Sequence, residues 1–279
     1  MTYTSIMVHL DTSNRSSHRL EIAANLAAAH CCRLIGLFTS ATTDPAWFYQ
    51  MQGTERFIEE DRERRKAACD AVHRQFDAAV GDLPLTAEWR ALDGDPTALS
   101  LREAREADLL VAGQVDPDDP NSFVAPQFLE TLTLEAGRPV LVIPYAGQFG
   151  VPGKRVMLAW DGRREATRAL HDALPLIAGA QASVFCAQPA HQSSVRPDAS
   201  PAGHAVAALS RHGISASVEQ GAAGSDLSIG EMMLSRAVDF NADLVVMGAY
   251  GHGRLRELVL GGVTRTLLDS MTLPVLMSH

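Results

Sequence analysis

The sequence predicts an α/β protein made of two tandem, doubly wound domains, each with a parallel β-sheet between layers of helices. Short apolar runs rich in Val, Ile and Leu alternate with longer segments of helical periodicity, as expected for buried parallel strands joined by helical crossovers. The landmarks of the first half recur in the second half in the same order. The chain of 279 residues also exceeds the commonest single-domain size and leaves room for two domains.

The first half predicts five strands separated by four helices. A strand at 5–10 ends at Asp11, and the residues that follow it offer side chains that cap the next helix. We expect Asp11 to serve as such a cap. Pro96 lies in the first turn of a later helix, a position that proline favours. The predicted elements are a strand at 5–10, a helix at 17–31, a strand at 33–38, a helix at 54–80, a strand at 85–92, a helix at 96–106, a strand at 108–112, a loop at 114–121, a helix ending at 136 and a strand at 139–143.

The second half repeats this alternation after a linker. Residues 144–153 are rich in glycine and proline, which places the predicted domains at 1–146 and 154–279. The predicted elements of the second half are a strand at 156–161, a helix at 165–178, a strand at 182–187, a loop at 189–203, a helix ending at 212, a strand at 214–219, a helix at 226–241, a strand at 244–247, a helix at 264–270 and a strand at 274–277.

Matched landmarks indicate that the halves are duplicates. The first strand of each half ends at an aspartate, Asp11 or Asp161. The tripeptide Ala-Asp-Leu opens a late strand at 107–109 and again at 242–244, and Pro-Val-Leu opens the last strand at 139–141 and at 274–276. The repeat is a whole domain and is too long for a solenoid unit. We therefore expect an internal pseudo-dimer, packed through the final strands.

Composition excludes several classes of partner. A net charge of −9 and a pI near 5.5 argue against a nucleic-acid or anionic-membrane surface. No apolar run approaches the length of a transmembrane helix, and the first residues do not resemble a signal peptide. Cys31, Cys32, Cys69 and Cys186 have no metal-binding spacing, so we expect buried, reduced thiols in a cytoplasmic protein.

A glycine-rich segment between a buried strand and a helix is the candidate site. Such a junction exposes backbone N–H groups and the positive end of a helix dipole, which suits phosphate. The alternative is that the loop needs its glycines only for its turns. The segment runs from Met247 through Gly248, Gly251, Gly253, Gly261 and Gly262 to Thr264.

With these residues the chain resembles the universal stress protein family, in its tandem two-domain form. Nucleotide-binding members carry Gly, two residues, Gly, nine residues, Gly and then Ser or Thr, and Gly248, Gly251 and Gly261 have this spacing. The aspartate that closes the first strand and the Pro-Val-Leu tail are also family features. The resemblance implies Rossmann-like domains, similar to the adenine nucleotide alpha hydrolases.

The resemblance further implies ATP or a related adenine nucleotide in the second domain, with Mg²⁺ as a candidate companion ion held with Thr264. Ligands of open parallel sheets bind outside the carboxyl ends of the strands, where these residues would converge. Asp161 would accept hydrogen bonds from the nucleotide. The implied contacts are Ala159, Trp160, Asp161 and Ala187 for adenine and ribose, Met247, Gly248 and Gly251 for ribose and phosphates, Gly261, Gly262, Val263 and Thr264 for the phosphate tail, and His252 and Arg254 from the loop.

Two departures from the family pattern bear on this expectation. Gly262 stands where the family has Ser or Thr, and the loss of one neutral hydrogen bond costs about 0.5–1.5 kcal/mol. In the first domain, Gly113 is followed by Asp116, Asp118 and Asp119 without later glycines. Because these carboxylates would repel phosphate, the first domain is predicted to bind no nucleotide.

Three functions remain to be compared. The favoured one is a stress protein that binds a nucleotide and hydrolyses ATP slowly at most, because no Walker lysine, paired carboxylates or other catalytic set is evident. The alternative is a scaffold for partners in which both sites are degenerate. An ATP pyrophosphatase would need an SGGxDS-like loop, which residues 11–14 and 161–164 do not provide. A homodimer of the whole chain is left open.

Overall fold

The computed structural model describes residues 2–41, 55–188, 201–222, 228–249 and 262–279. It confirms the α/β class and the tandem repeat of alternating strands and helices. In order, the elements are β1 (Ser5–Leu10), α1 (Ser16–His30), β2 (Arg33–Ser40), α2 (Glu55–Val80), β3 (Thr86–Asp93), α3 (Pro96–Ala104), β4 (Leu109–Gly113), a short 3-10 helix (Pro120–Ser122), α4 (Phe128–Glu135), β5 (Val140–Ile143), β6 (Arg155–Ala159), α5 (Arg164–Ala173), β7 (Gln181–Gln188), α6 (Pro201–Arg211), β8 (Ser215–Ala222), α7 (Ile229–Asp239), β9 (Leu244–Gly248), α8 (Gly262–Ser270) and β10 (Val275–Ser278).

Residues 4–132 form one compact unit around four parallel strands in the order β3-β2-β1-β4. In β1, Ile6 lies opposite Leu34 of β2 and Leu109 of β4, and all three side chains are fully buried. Because helices cover both faces of such a sheet, its central strands carry apolar residues at successive positions rather than at alternate ones. The order reverses direction next to β1, which is where open α/β sheets place their ligands.

Residues 133–279, together with residues 1–3, form the other compact unit. Its strands lie in the order β5-β10-β9-β6-β7-β8, and all neighbours are parallel except β5 and β10. Leu141 of β5 lies opposite Leu276 of β10, and both are fully buried. The last strand of the first repeat therefore completes the sheet of the second unit. The boundaries 1–146 and 154–279 describe the repeats and stay a prediction.

An aspartate before the fourth strand performs the same task in each repeat. Asp108 accepts hydrogen bonds from the backbone N–H groups of Thr4 (2.8 Å) and Ser5 (3.2 Å). Asp243 accepts them from Gly153 (2.9 Å) and Lys154 (3.0 Å). Each carboxylate thus ties the entrance of the first strand to the entrance of its neighbour, which explains why Ala-Asp-Leu recurs in the sequence.

Helix boundaries show where the sequence prediction was accurate and where it was wrong. Helix α3 begins at Pro96 as predicted, and the side chain of Asp95 caps it by accepting hydrogen bonds from the N–H groups of Thr97 (2.8 Å) and Ala98 (3.1 Å). Helix α5 ends at Ala173 instead of residue 178. Pro175 accounts for the difference, because proline has no N–H with which to continue the hydrogen bonds of the helix.

The expectation of four buried cysteines was wrong for Cys31, which is exposed, and for Cys69, which is only half-buried. Cys32 and Cys186 are buried, and burial raises the pKa of each to about 11, with Asp108 and Asp161 respectively adding to the effect. Cys31 is exposed, because it ends α1 in the left-handed conformation with φ of 51°. All four thiols, which lie in the described segments, are free of disulfides. None of the helices described here has the length and apolar composition needed to cross a membrane.

The packing of α2 on its sheet depends on Gly36 in β2. A Cβ atom at Gly36 would lie 2.5 Å from Cε2 of Phe76, whose ring is almost fully buried. We predict that Gly36→Ala lowers the free energy of unfolding by about 1–3 kcal/mol, because the ring has no free space to move into. Chemical denaturation measures the difference.

Two further variants test this explanation. Gly150→Ala is the matched control, since a Cβ there meets no atom within 4 Å. Gly36→Ala should lower the free energy of unfolding less in a protein that already carries Phe76→Leu than it does in the wild type. The explanation is wrong if Gly36→Ala is as stable as the control.

Candidate functional site

The candidate site of the second repeat lies at the carboxyl ends of β6, β7 and β9. Beyond the last residue of β6, the N–H of Trp160 donates to the carbonyl of Phe185 (2.9 Å) and Cys186 Sγ donates to the carbonyl of Trp160 (3.1 Å). Ala159 and Trp160 are half-buried, while Ala187 on β7 is exposed. Strands β6 and β7 are therefore hydrogen-bonded to each other up to their carboxyl ends.

Asp161 begins the turn that connects β6 to α5. Its Oδ1 accepts a hydrogen bond from the N–H of Arg163 (2.9 Å), and its Oδ2 lies 3.8 Å from Nε of the same arginine. The side chain is nevertheless 45% exposed. The turn thus fixes the backbone with one carboxylate oxygen and leaves acceptor capacity facing solvent.

Gly248 ends β9 where the backbone of α5 passes closest. A Cβ atom there would lie 2.4 Å from the carbonyl carbon of Glu165 and 2.5 Å from the nitrogen of Ala166. Only glycine fits this contact, so packing alone explains the first glycine of the motif. The preceding residue, Met247, is buried.

The closing residues of the motif form the first turn of α8, which begins at Gly262 rather than at residue 264. Gly262 is exposed, and a Cβ atom there would meet no atom of the described residues within 4 Å. Val263 is half-buried and Thr264 is buried. The other predicted contacts, Gly251, His252, Arg254 and Gly261, lie outside the described residues.

Two residues at this edge were not singled out from the sequence. His279 Nδ1 lies 3.0 Å from the carbonyl oxygen of Ala249, directly after Gly248. Glu165 lies beside Gly248 in the first turn of α5, with a side chain only 14% exposed. Burial opposes the ionisation of Glu165, but its own backbone N–H and Arg164 outweigh burial and lower its pKa. The sequence did contain a signal for Glu165: a glutamate lies in the first turn of the helix that follows Asp161, the aspartate at the end of the strand.

In the first repeat, the equivalent space is filled by Arg19 of α1. Its guanidinium is buried and bonds the Asp11 carboxylate through Nη2 (2.8 Å) and the His9 carbonyl through Nε (2.8 Å). A Cβ atom on Gly113, which ends β4, would lie 1.9 Å from Arg19 Nη1. At the same distance in sequence from Asp161, the second repeat carries the buried Ala169.

The acidic loop after β4 folds back onto the turn that contains Asp11. Asp119 is 5% exposed and accepts hydrogen bonds from the N–H groups of Asn14 (2.8 Å) and Asn121 (3.0 Å). The Ser122 hydroxyl donates to the Asp119 carbonyl (2.7 Å) and thereby holds the loop in place. Side chains of the first repeat thus cover the carboxyl ends of its own strands β1 and β4.

The expectation that Asp11 caps α1 was wrong. The residue that precedes the helix is Arg15, which makes no capping hydrogen bond with its side chain. Asp11 instead accepts hydrogen bonds from the N–H and hydroxyl of Ser13 and pairs with Arg19. A buried arginine within hydrogen-bond distance competes for the carboxylate more strongly than a free helix N–H does.

Charge in this cluster is set by burial and by Arg19. Burial lowers the pKa of His9 to about 4, with Arg19 adding to the effect and Asp11 opposing it. Burial would raise the pKa of Asp11, but Arg19, followed by His9 and Ser13, outweighs it and holds that pKa below its ordinary value. The cluster therefore contains a neutral histidine, a carboxylate and a guanidinium. Within the described segments, no group of three His, Cys, Asp or Glu side chains is arranged to hold a metal.

Comparison with known proteins identifies the fold of both repeats. The profile of the universal stress protein family matches residues 2–144 and again residues 153–279. A universal stress protein from Archaeoglobus fulgidus is similar in structure, with a TM-score of 0.72 and 16% sequence identity over 98% of this chain and 95% of that one. A functionally unknown protein from Pseudomonas aeruginosa has a TM-score of 0.59 and 18% identity over 99% of this chain and 92% of that one. No curated protein matches the sequence.

The buried His9 predicts how stability depends on pH. Between pH 6.5, the ordinary pKa of histidine, and about 4, the unfolded chain takes up a proton that the folded protein does not. The free energy of unfolding should therefore decrease as the pH falls through this range, by up to about 3 kcal/mol. Stability that depends on the Asp11 carboxylate is lost only in the more acidic range below its ordinary pKa of 3.8.

Denaturation of wild type and of His9→Gln at pH 7 and pH 4.5 tests this. The decrease should be smaller in His9→Gln, and His73→Gln, at a half-exposed histidine on α2, should keep the wild-type decrease. Equal decreases in all three proteins would contradict the assignment to His9.

Proposed function

Because the chain belongs to the universal stress protein family, we propose that it acts in the stress response by binding ATP or a related adenine nucleotide in its second repeat. The nucleotide lies across the carboxyl ends of β6, β7 and β9. The first repeat binds none. A cytoplasmic location belongs to the same proposal and is supported by four cysteines that form no disulfide.

The contrast between the two aspartates carries the proposal. Asp161 is 45% exposed and has acceptor capacity facing solvent, whereas Asp11 is 14% exposed and is paired with a buried arginine. A carboxylate at the end of the first strand suits the hydroxyl groups of a ribose, which need acceptors. Only the second repeat offers an exposed carboxylate at this position.

The first turn of α8 supports the phosphate end of the proposal. The backbone N–H groups at the start of a helix have no intrahelical partner, and the helix dipole favours negative charge there. Gly262 is exposed at this position, so an anion can approach the backbone closely. Mg²⁺ would accompany the phosphates, as it does for most nucleotides in solution, rather than require a protein cage of its own.

Two measurements together decide between a nucleotide binder and a scaffold. Mass spectrometry of the small molecules released from the denatured protein, together with calorimetric titration with ATP and Mg²⁺, should detect an adenine nucleotide. If no nucleotide co-purifies and no heat is released at millimolar ATP, the scaffold function is favoured instead.

Asp161→Asn should weaken ATP binding about tenfold or more, because a hydrogen bond to a charged acceptor is replaced by one to an amide. Calorimetry measures the change. Asp269→Asn, at an exposed aspartate on α8, is the matched control and should bind as wild type does. Equal affinities for the wild type and Asp161→Asn would remove Asp161 from the site.

Gly262→Ser should strengthen ATP binding about two- to tenfold, because it restores the hydroxyl that the family pattern carries. Among the described residues, no atom lies within 4 Å of a Cβ at Gly262, so none of them blocks the added side chain. Gly150→Ser, which also adds a hydroxyl in open space, is the control and should leave affinity unchanged. If Gly262→Ser binds ATP no more tightly than wild type, residue 262 does not contact the phosphates.

A further inference from the structure

Two histidines of the second repeat lie next to each other where α5 and α6 end. His171 is in the last turn of α5, and His212 directly follows α6. The centroids of the two rings are 6.4 Å apart, and the ring planes are inclined at 84°. Both helices lead into the amino end of the next strand, β7 or β8. The pair therefore lies at the amino ends of the strands, away from the carboxyl ends that form the candidate nucleotide site.

The backbone of each histidine is fixed by the turn that ends its helix. The N–H of Leu174 donates to the carbonyl of His171 (3.3 Å). The N–H of His212 donates to the carbonyl of Leu209 (3.0 Å), and Gly213, with φ of 74°, ends α6 in the left-handed conformation. Both histidines are exposed. Rotation about the side-chain torsions can therefore turn a nitrogen of each ring towards a common point without moving the backbone.

The separation of the two rings suits a metal ion held between them. An imidazole nitrogen binds Zn²⁺ at about 2.0–2.1 Å, so two rings that share one ion have centroids roughly 5–6.5 Å apart. Their planes can take any mutual angle, since each plane needs only to contain its own bond to the metal. Edge-to-face packing is the alternative explanation of this contact. Such packing buries little surface here, because both residues stay exposed to water.

The charges around the pair also favour a cation. The C-terminal end of a helix carries partial negative charge, and two such ends meet here. Arg168, three residues before His171, is paired with Asp172 (2.8 Å). Arg211, beside His212, is exposed, so solvent and salt screen its charge. With a net charge of −9 on the whole chain, a divalent cation is attracted to this position.

We propose that His171 and His212 together bind a divalent transition-metal ion such as Zn²⁺. Imidazole nitrogen suits Zn²⁺, Cu²⁺ and Ni²⁺, whereas Mg²⁺ prefers oxygen ligands. Water completes the coordination shell, since among the described residues no group of three His, Cys, Asp or Glu side chains is arranged around a metal. The site needs no nucleotide and is independent of the proposed function of the second repeat.

Titration of the chelator-treated, ¹⁵N-labelled full chain with Zn²⁺, followed by NMR of the imidazole nitrogens, tests the proposal. One ring nitrogen of His171 and one of His212 should shift together and saturate at the same Zn²⁺ concentration. Mg²⁺ at equal concentration should shift neither. In His212→Gln, binding of Zn²⁺ at His171 should be weakened about tenfold or more, because one of two protein ligands is lost.

His204→Gln is the matched control. His204 is also exposed and lies on α6, but it is about 12 Å along the helix from His212, so this variant should titrate as wild type does. The exposed positions of His204 and His212 make unfolding of either variant unexpected, and the amide spectrum checks this. The proposal is overturned if Zn²⁺ shifts neither ring. It is also overturned if the ring of His171 responds equally in His212→Gln, since each histidine would then bind the ion alone.

Discussion

Each repeat has a glycine at the carboxyl end of the strand beside its first strand: Gly113 of β4 lies beside β1, and Gly248 of β9 lies beside β6. Each repeat depends on this glycine because another part of the chain packs closely against it. At Gly248 the approaching group is the backbone of α5, and a Cβ atom would lie 2.4 Å from it. At Gly113 it is the guanidinium of Arg19, 1.9 Å from where a Cβ would lie. The same absence of a side chain thus admits the backbone of α5 in the second repeat and the guanidinium of Arg19 in the first. The glycine is structural in both repeats, and the two strand ends differ because a different group packs against each glycine.

The fold was predictable because its signals are local and repeated. Apolar runs marked the central strands, and the recurring Ala-Asp-Leu and Pro-Val-Leu tripeptides marked the duplication; Asp108 and Asp243 explain the first of these physically. Helix ends were less predictable. The helical pattern extends past Ala173, but Pro175 ends the helix there, since local backbone chemistry takes precedence over apolar periodicity. The pairing of β5 with β10 confirms the expectation that the final strands of the two halves pack together, an expectation that came from the duplication rather than from a local pattern.

The candidate site was predictable in outline and not in its contacts. The positions of Asp161 and of Gly262 at the start of α8 follow from the order of strand, loop and helix. The role of Arg19 does not, because on sequence it is one polar residue in an alanine-rich helix. Its buried pairing with Asp11 requires three elements to meet at one point, β1, α1 and the end of β4. For the same reason Asp11 was misread as a helix cap, although its type and position were recognised.

Duplication explains how one repeat can differ from the other at its strand edge. A buried ion pair is costly unless every partner is satisfied, and the Asp11–Arg19 pair is satisfied by the His9 carbonyl, by Ser13 and by its own geometry. Once Arg19 occupies that space, a ligand gains nothing by competing for Asp11, since it would leave the guanidinium buried and unpaired. If the first repeat binds no nucleotide, as proposed, the acidic loop held by Asp119 costs it no function. Any anion that the first repeat binds must be held away from this edge, by cations outside the cluster.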